Sequence, residues 1–261
     1  MKKITAVLLL AVLLISLASC GGVGTKGIEN GETKMIAHRG LSAIEVENTD
    51  RAFIAAAERS YYGIEADVRR TADGRYVMCH DSDLKKLCGV DMIVEESTLE
   101  ELLAVELYDL HGKKNPDLGS ISTLESYISI CKEYDKRAIL EFKGDFDKEQ
   151  IGEIIGIIGE SGYLDMTTFI SFDYDELLAV REILPDSKVT YLFSQMKDID
   201  LDLLKSDKID VGINHTWLTR ADVEKIHEAG LTVNCWTVDT RFRAMQLVSW
   251  GVDYITSNII E

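Results

Sequence analysis

The chain has 261 residues, and its 45 Asp and Glu against 28 Lys and Arg give a formal net charge of −17 at pH 7. Such an excess of negative charge argues against nucleic acid or anionic surfaces as partners, and it means that an anionic substrate needs cations supplied at its own site. Residues 21–261 suffice for one large α/β barrel or two small domains. Since no Pro/Gly-rich gap or charge block divides them, we expect one domain.

Residues 1–20 have the pattern of a bacterial lipoprotein signal peptide. Lys2 and Lys3 precede an apolar run over 6–17, and small residues lead to Cys20. We expect cleavage before Cys20 and acylation of that cysteine, which would anchor an exported protein to the bacterial cell membrane or outer membrane. The alternatives are an ordinary cleaved signal peptide or a short membrane helix, for which the run is short. The glycine-rich residues 21–33 predict a flexible tether.

Eight apolar runs over the rest of the chain predict parallel strands. Two cover 34–38 and 63–69, and six more begin near residues 137, 167, 188, 209, 231 and 252. Amphipathic stretches predict helices between them, at about 49–60, 148–160, 174–184, 220–229 and 240–250. Strands that alternate with helices build a parallel sheet, and eight of them close a (β/α)8 barrel, or TIM barrel.

A ninth strand-like run, over 76–80, lies too close to the second strand for a parallel crossover. Asp73-Gly74 is typical of a two-residue hairpin turn, so this run should fold back antiparallel. In that register paired positions sum to 147 and His80 lies opposite Asp67, although a slip of one or two residues stays open. Residues 82–122, with a helix predicted over 98–103, are expected to form an insertion over the barrel mouth or a passive surface elaboration.

Carboxylates collect on two of the predicted strands. Glu65 and Asp67 share one face of the second strand, and Glu141 and Lys143 share one face of a later strand. Three inward carboxylates repel one another unless a cation joins them, and their oxygens suit Ca²⁺ or Mg²⁺. Ion pairs with nearby arginines and Lys143 are the alternative.

Two histidines, His38 and His80, stand where strands end, each followed by a charged residue. This setting suits a general base and a general acid. The cysteines beyond Cys20 have no metal-type spacing, which favours free, buried thiols: Cys79, Cys88, Cys131 and Cys235.

The order and spacing of these motifs over about residues 34–257 resemble those of the glycerophosphodiester phosphodiesterase family. The motifs are His38-Arg39-Gly40, Glu47-Asn48-Thr49, Glu65-Ala66-Asp67-Val68, Asp73-Gly74, His80-Asp81, Glu141-Phe142-Lys143, Trp236-Thr237-Val238 and Ile255-Thr256. The resemblance implies a (β/α)8 barrel and metal-dependent hydrolysis of a glycerophosphodiester to an alcohol and sn-glycerol 3-phosphate. Independently of the resemblance, we expect the insertion over 82–122 to select the alcohol.

Site roles follow from the same resemblance. It implies one divalent cation, Ca²⁺ or Mg²⁺, held by Glu65, Asp67 and Glu141, with His38 and His80 as catalytic acid and base. Substrate and phosphate contacts would come from Arg39, Lys143 and Trp236, and Glu47 would orient the site without binding the metal. A core-packing role is the alternative for Trp236. The chain departs from the family pattern in three loops, at Val46, Ser122 and Ser257-Asn258-Ile259.

Two other functions stay open. One is phospholipase C- or D-like cleavage of phosphatidylinositol or lysophospholipid; a membrane anchor favours it, and the lack of an obvious exposed apolar loop in the sequence disfavours it. The other is a lipoprotein of the same fold that binds ligands without turnover, which the presence of both histidines and all three carboxylates disfavours.

Overall fold

The computed structural model describes residues 25–261. The predicted signal peptide, Cys20 and the first residues of the predicted tether lie outside this range. The strands are β1 (Lys34–Ala37), β2 (Gly63–Arg70), β3 (Tyr76–Met78), β4 (Arg137–Phe142), β5 (Thr167–Ser171), β6 (Lys188–Phe193), β7 (Asp210–Asn214), β8 (Val233–Trp236) and β9 (Tyr254–Ser257). The α-helices are α1 (Asp50–Ala57), α2 (Lys85–Cys88), α3 (Leu99–Leu103), α4 (Leu124–Glu133), α5 (Lys148–Glu160), α6 (Tyr174–Ile183), α7 (Leu201–Asp207), α8 (Arg220–Glu228) and α9 (Arg241–Ser249).

Eight parallel strands close into a barrel, as predicted. The sheet runs β1-β9-β8-β7-β6-β5-β4-β2, and β1 also pairs with β2, which completes the ring. Because all eight strands are parallel, their carboxyl ends meet at one rim of the barrel. Inside the barrel, Ile36, Ile139, Ile170 and Leu192 form an apolar layer. Ile36 and Ile139 precede His38 and Glu141 by two positions, so this layer forms the floor beneath the charged residues.

Strand β3 pairs antiparallel with β2 outside the barrel, as predicted, but the predicted register is wrong by one residue. Val68 pairs with Met78, and the Cys79 amide donates to the Asp67 carbonyl, so Cys79 rather than His80 lies opposite Asp67. The turn contains three residues instead of two. Gly74 adopts φ +74° and closes it with a bulge, while the Thr71 amide donates to the Arg75 carbonyl.

Residues 82–122 pack around a small apolar core of their own. This core joins Leu84, Leu102 and Leu107 to Val77 of β3 and to Val46, one of the positions at which the sequence departs from the family pattern. Helix α3 starts with a capping box in which the Thr98 hydroxyl and the Glu101 carboxylate each accept from the other residue's backbone amide. The inserted segment is therefore an ordered layer against the hairpin.

Part of the segment predicted as a tether is attached to the barrel. The amides of Lys26 and Ile28 donate to the carbonyls of Ile259 and Glu261 at 3.0 and 2.9 Å. Within residues 25–261, none of the helices has the length and apolar character needed to cross a bilayer. The four cysteines predicted as free thiols are free and buried: Cys79, Cys88, Cys131 and Cys235.

Candidate active site

An open cleft of about 540 Å³ lies at the carboxyl rim of the barrel. It is lined by residues from the ends of several strands, among them His38, Arg39, Glu65, His80, Glu141, Lys143 and Trp236. Of the other predicted site residues, Asp67 lies within 3.8 Å of Lys143 and Glu47 within 2.9 Å of Arg39, so the structure brings all of them together. Residue Cys20 lies outside the described range.

Three buried carboxylates lie together on one side of the cleft, above the apolar floor. Glu65, Asp67 and Glu141 are 2, 0 and 6 % exposed, and each offers an oxygen within 4.8 Å of the others. Asp67 and Glu141 are direct partners in the pairing of β2 with β4. Glu65 Oε1 and Asp67 Oδ1 are buried without a hydrogen-bond partner, and Glu141 Oε1 has only an ion pair with Lys143. A hard divalent cation fits this donor set, since it would give the two unpartnered oxygens a partner and would lie beside the third.

Burial makes two of these carboxylates, Glu65 and Glu141, difficult to ionise. Desolvation and the neighbouring charge of Asp67 raise the pKa of Glu65 well above its usual range, and the same two causes raise the pKa of Glu141 to about 7. Two cations offset part of the charge: Lys143 Nζ lies 2.5 Å from Glu141, and Arg39 Nε lies 3.4 Å from Asp67. When all three carboxylates are ionised, they carry one more charge than Lys143 and Arg39, and a further cation would balance it.

The His38-Arg39-Gly40 turn has a backbone that few sequences allow. Arg39 and Gly40 adopt φ values of +54° and +75°, and a Cβ on Gly40 would lie 2.6 Å from the carbonyl carbon of Ala52. This conformation lets the Arg39 amide donate to Glu65 at 2.8 Å. Glu47 then accepts from the Arg39 guanidinium at 2.9 Å, so the side chain is fixed beside the carboxylates.

Asn48 contributes a contact that the sequence did not predict. Its side-chain amide donates to Asp67 at 2.8 Å and its side-chain oxygen accepts from the Asp67 backbone amide at 3.2 Å. Asn48 is fully buried, with φ +56°. The signal was present in the Glu47-Asn48-Thr49 motif, which could not by itself show that the asparagine reaches a strand nineteen residues further on.

Both histidines face the cleft with one ring nitrogen already engaged. His38 Nδ1 lies 2.7 Å from Asn258 Oδ1, and His80 Nδ1 lies 2.8 Å from Asp81 Oδ1. Burial lowers the pKa of His38, assisted by the charge of Arg39, so the neutral ring is favoured. Burial also lowers the pKa of His80, against the opposing charge of Asp67. Arg69 fixes the backbone of His80 by donating two hydrogen bonds to its carbonyl, at 3.1 and 2.8 Å.

An aromatic pair stands at the mouth of the cleft. Trp236 on β8 meets Phe172, which follows β5, edge to face at 5.3 Å between ring centroids. Lys143 Nζ lies 5.4 Å from the centroid of the Phe172 ring. The sequence singled out Trp236 but not Phe172, because the two are distant in sequence and only barrel closure brings their strands around one opening.

Comparison with known proteins agrees with this geometry. A curated glycerophosphodiester phosphodiesterase of Caldanaerobacter subterraneus subsp. tengcongensis is 26% identical over 235 residues, which is 87% of this chain and 93% of that protein. Among solved structures, a glycerophosphodiester phosphodiesterase from Parabacteroides distasonis superposes with a TM-score of 0.72 at 27% identity, over 87% of this chain and 93% of that one.

A second solved structure is an Oleispira antarctica phosphodiesterase in complex with the product sn-glycerol 3-phosphate. It superposes with a TM-score of 0.81 at 24% identity over 87% of this chain and 93% of that one, a level of identity that shows the shared fold. The model of the glycerophosphoryl diester phosphodiesterase family matches residues 38–261, which include every proposed site residue of the barrel. The chain therefore belongs to the glycerophosphoryl diester phosphodiesterase family.

Proposed function

We propose that this protein hydrolyses glycerophosphodiesters to an alcohol and sn-glycerol 3-phosphate. The observation that carries this proposal is the set of buried carboxylates with unpartnered oxygens, beside a cleft that also holds two histidines and two cations. The family supports the reaction class. The Oleispira antarctica relative, whose complex contains sn-glycerol 3-phosphate, supports the substrate class.

Glu65, Asp67 and Glu141 would hold one divalent cation, Ca²⁺ or Mg²⁺. When bound, such a cation neutralises phosphate charge and lowers the pKa of a nearby hydroxyl group. Arg39 and Lys143 would bind the non-bridging phosphate oxygens, because they are the cations that line the cleft beside the carboxylates. Glu47 would hold Arg39 in position, and Trp236 would pack against the glycerol carbons.

The histidines would move the protons. His38, neutral because its pKa is lowered, accepts the proton of the glycerol 2-hydroxyl as that oxygen attacks phosphorus. His80 gives a proton to the leaving alcohol, and the negative charge of the bound phosphate raises the pKa of His80 toward that task. Water then opens the cyclic phosphate: His80 takes a proton from the water, and His38 returns its proton to the 2-oxygen.

The test is release of sn-glycerol 3-phosphate from glycerophosphocholine, with and without a chelator, by the wild type and by Glu65→Gln and His38→Ala. We expect the chelator and Glu65→Gln to abolish turnover, and His38→Ala to lower kcat by about 1,000-fold. Calorimetric titration with Ca²⁺ and Mg²⁺ should show that Glu65→Gln, but not His38→Ala, loses cation binding.

The matched control is His227→Ala. His227 lies on α8 and hydrogen bonds to Asp253, away from the cleft, so its loss should leave turnover intact. Unchanged cation affinity and turnover in Glu65→Gln would contradict the proposed metal site.

We also propose that the protein is exported and attached to the membrane through a lipid on Cys20. The support is the sequence alone: a basic start, an apolar run and a small-residue site that ends in cysteine.

A second candidate substrate is a lysophospholipid, and one observation favours it. The sequence showed no obvious exposed apolar loop, but Trp217, which follows β7, is 67 % exposed and Phe242, in the first turn of α9, is 80 % exposed. Both follow barrel strands at the rim where the cleft opens. Apolar side chains at that rim could contact an acyl chain.

Hydrolysis of lysophosphatidylcholine and of glycerophosphocholine separates the two substrates. If the lysophospholipid is the substrate, the double variant Trp217→Ala/Phe242→Ala should lose turnover of lysophosphatidylcholine and keep that of glycerophosphocholine. Leu203→Ala, which removes an exposed leucine on α7, is the control. Equal loss on both substrates would exclude an acyl-chain contact.

A further inference from the structure

The side chain of Asn258 connects His38 to a second carboxylate, Asp239. Asn258 Oδ1 lies 2.7 Å from His38 Nδ1, and Asn258 Nδ2 donates to Asp239 Oδ2 at 2.6 Å. Asn258 belongs to the Ser257-Asn258-Ile259 segment, where the sequence departs from the family's usual pattern. Asn258 thus contacts the His38 ring on the side that faces away from the carboxylate cluster.

The hydrogen bonds of Asp239 fix which way the Asn258 amide points. The other Asp239 oxygen accepts from the Asn258 backbone amide at 2.8 Å and from the Ser257 hydroxyl at 3.0 Å. The Ser257 oxygen itself accepts from the amides of Ile259 and Ile260, so its proton must go to Asp239. A carboxylate that only accepts requires the Asn258 NH₂ group to face it.

The amide oxygen of Asn258 must then face His38. An amide oxygen only accepts, so His38 Nδ1 carries a proton, and in the neutral ring Nε2 keeps its lone pair. That nitrogen lies 4.0 Å from Glu65 Oε2, on the side of the cleft. The opposite amide orientation would place a carbonyl oxygen against the carboxylate of Asp239.

We propose that Asn258 and Asp239 are positioning residues that hold His38 in the Nδ1–H tautomer, with Nε2 aimed into the cleft as the base. The tautomer follows from the hydrogen bonds alone. Its catalytic meaning rests on the proposed function, in which His38 accepts the proton of the attacking hydroxyl.

The direct test is ¹⁵N NMR of the histidine rings in detergent-solubilised full-length protein at about pH 8, where a ring with a lowered pKa is neutral. The His38 signals are assigned by their loss in His38→Gln. We expect the Nδ1–H tautomer in the wild type and a shift toward Nε2–H in Asn258→Leu, which keeps the side-chain size but removes the acceptor. Retention of the Nδ1–H tautomer in Asn258→Leu would overturn the proposal.

The kinetic test separates positioning from substrate binding. Asn258→Leu should lower kcat on glycerophosphocholine by about 100-fold and leave KM within about twofold, because it misdirects the base without touching substrate. Asn30→Leu is the matched control: Asn30 precedes β1 and donates to the Thr33 carbonyl, away from the cleft, so both parameters should stay unchanged. A kcat for Asn258→Leu equal to that of the wild type would show that the contact positions nothing that catalysis needs.

Exchanging the side chains of Asn258 and Asp239 tests which group donates and which group accepts in these hydrogen bonds. Asp239→Asn alone should lower kcat by about 10-fold, whereas the double variant Asn258→Asp/Asp239→Asn should recover to within about threefold of wild type. In the double variant the amide introduced at position 239 can donate to the carboxylate introduced at position 258, and that carboxylate can accept from His38. A double variant as slow as Asp239→Asn would contradict this arrangement. A wild type that hydrolyses no glycerophosphodiester would overturn the proposed function, and the NMR result would still decide the tautomer.

Discussion

At the scale of single residues, buried Glu65 and Glu141 make the free energy of unfolding of the metal-free protein depend on pH. The pKa of Glu141 is raised to about 7 by burial and by Asp67, against 4.5 for an ordinary glutamate. A raised pKa means that the folded state holds the proton more tightly than the unfolded state does. This contribution to stability is therefore complete below pH 4.5 and is lost as the pH rises through about 7.

We expect the metal-free wild type to unfold more easily at pH 8.5 than at pH 6.5, by about 1 kcal/mol from Glu141 alone and more with Glu65. Chemical denaturation at both pH values measures this difference. Glu141→Gln should reduce it, whereas Glu224→Gln on the exposed face of α8 should not. A difference of the same size in Glu141→Gln would show that another group is responsible. Because the pKa values of His38 and His80 are lowered, these two residues have the opposite effect: they reduce the free energy of unfolding as the pH falls below 6.5.

At the scale of elements, the hairpin between β2 and β3 depends on one glycine conformation. Gly74 has φ +74° and lies near the flexible end of Arg70, so an added Cβ meets backbone strain more than a clash. Gly74→Ala should destabilise the fold by about 1 kcal/mol and loosen the segment that carries His80.

The control for this prediction is Gly156→Ala in α5. Gly156 is exposed, has ordinary helical geometry and has nothing within 4 Å of an added Cβ, so alanine should stabilise the helix by about 0.5–1 kcal/mol. Urea denaturation should give a lower unfolding midpoint for Gly74→Ala and a higher one for Gly156→Ala than for the wild type. A higher midpoint for Gly74→Ala would show that the turn does not need a glycine at this position.

The hairpin also shows where sequence reasoning fails. Asp73-Gly74 correctly predicted a turn, but whether Gly74 closes a two-residue turn or a bulged three-residue turn is decided by the Thr71 amide and hydroxyl, which both bond across the turn to Arg75. Helices α4 and α7 were not predicted, although Thr123 and Asp200 cap them through their side chains. The strands of the barrel were easier to predict, because buried parallel strands are continuous apolar runs.

The residues of the candidate site also fall into a group that the sequence could predict and a group that it could not. Residues at strand ends, such as His38 and Glu141, could be predicted to converge, since parallel strands end at one rim. Asn48, Phe172 and Asn258 reach the site from loops, and their contacts depend on loop paths that no periodicity encodes.

At the scale of the whole molecule, the proposed lipid anchor predicts that location and activity can be separated. Cys20→Ala should release the protein from the membrane fraction and leave glycerophosphocholine turnover unchanged, because Cys20 precedes the first barrel strand in the sequence. Fractionation of cells that express the two forms, followed by immunoblotting, measures this. Persistence of Cys20→Ala in the membrane fraction would point to an uncleaved apolar segment instead.

The hydrogen bonds between residues 26–28 and the last residues of the chain set how far such an anchor lets the barrel move. With Lys26 held at the barrel, five residues separate it from Cys20, and the six steps of roughly 3.5 Å from one Cα to the next span at most about 21 Å. The proposed enzyme would therefore act only in the solvent close to the membrane surface that holds its anchor.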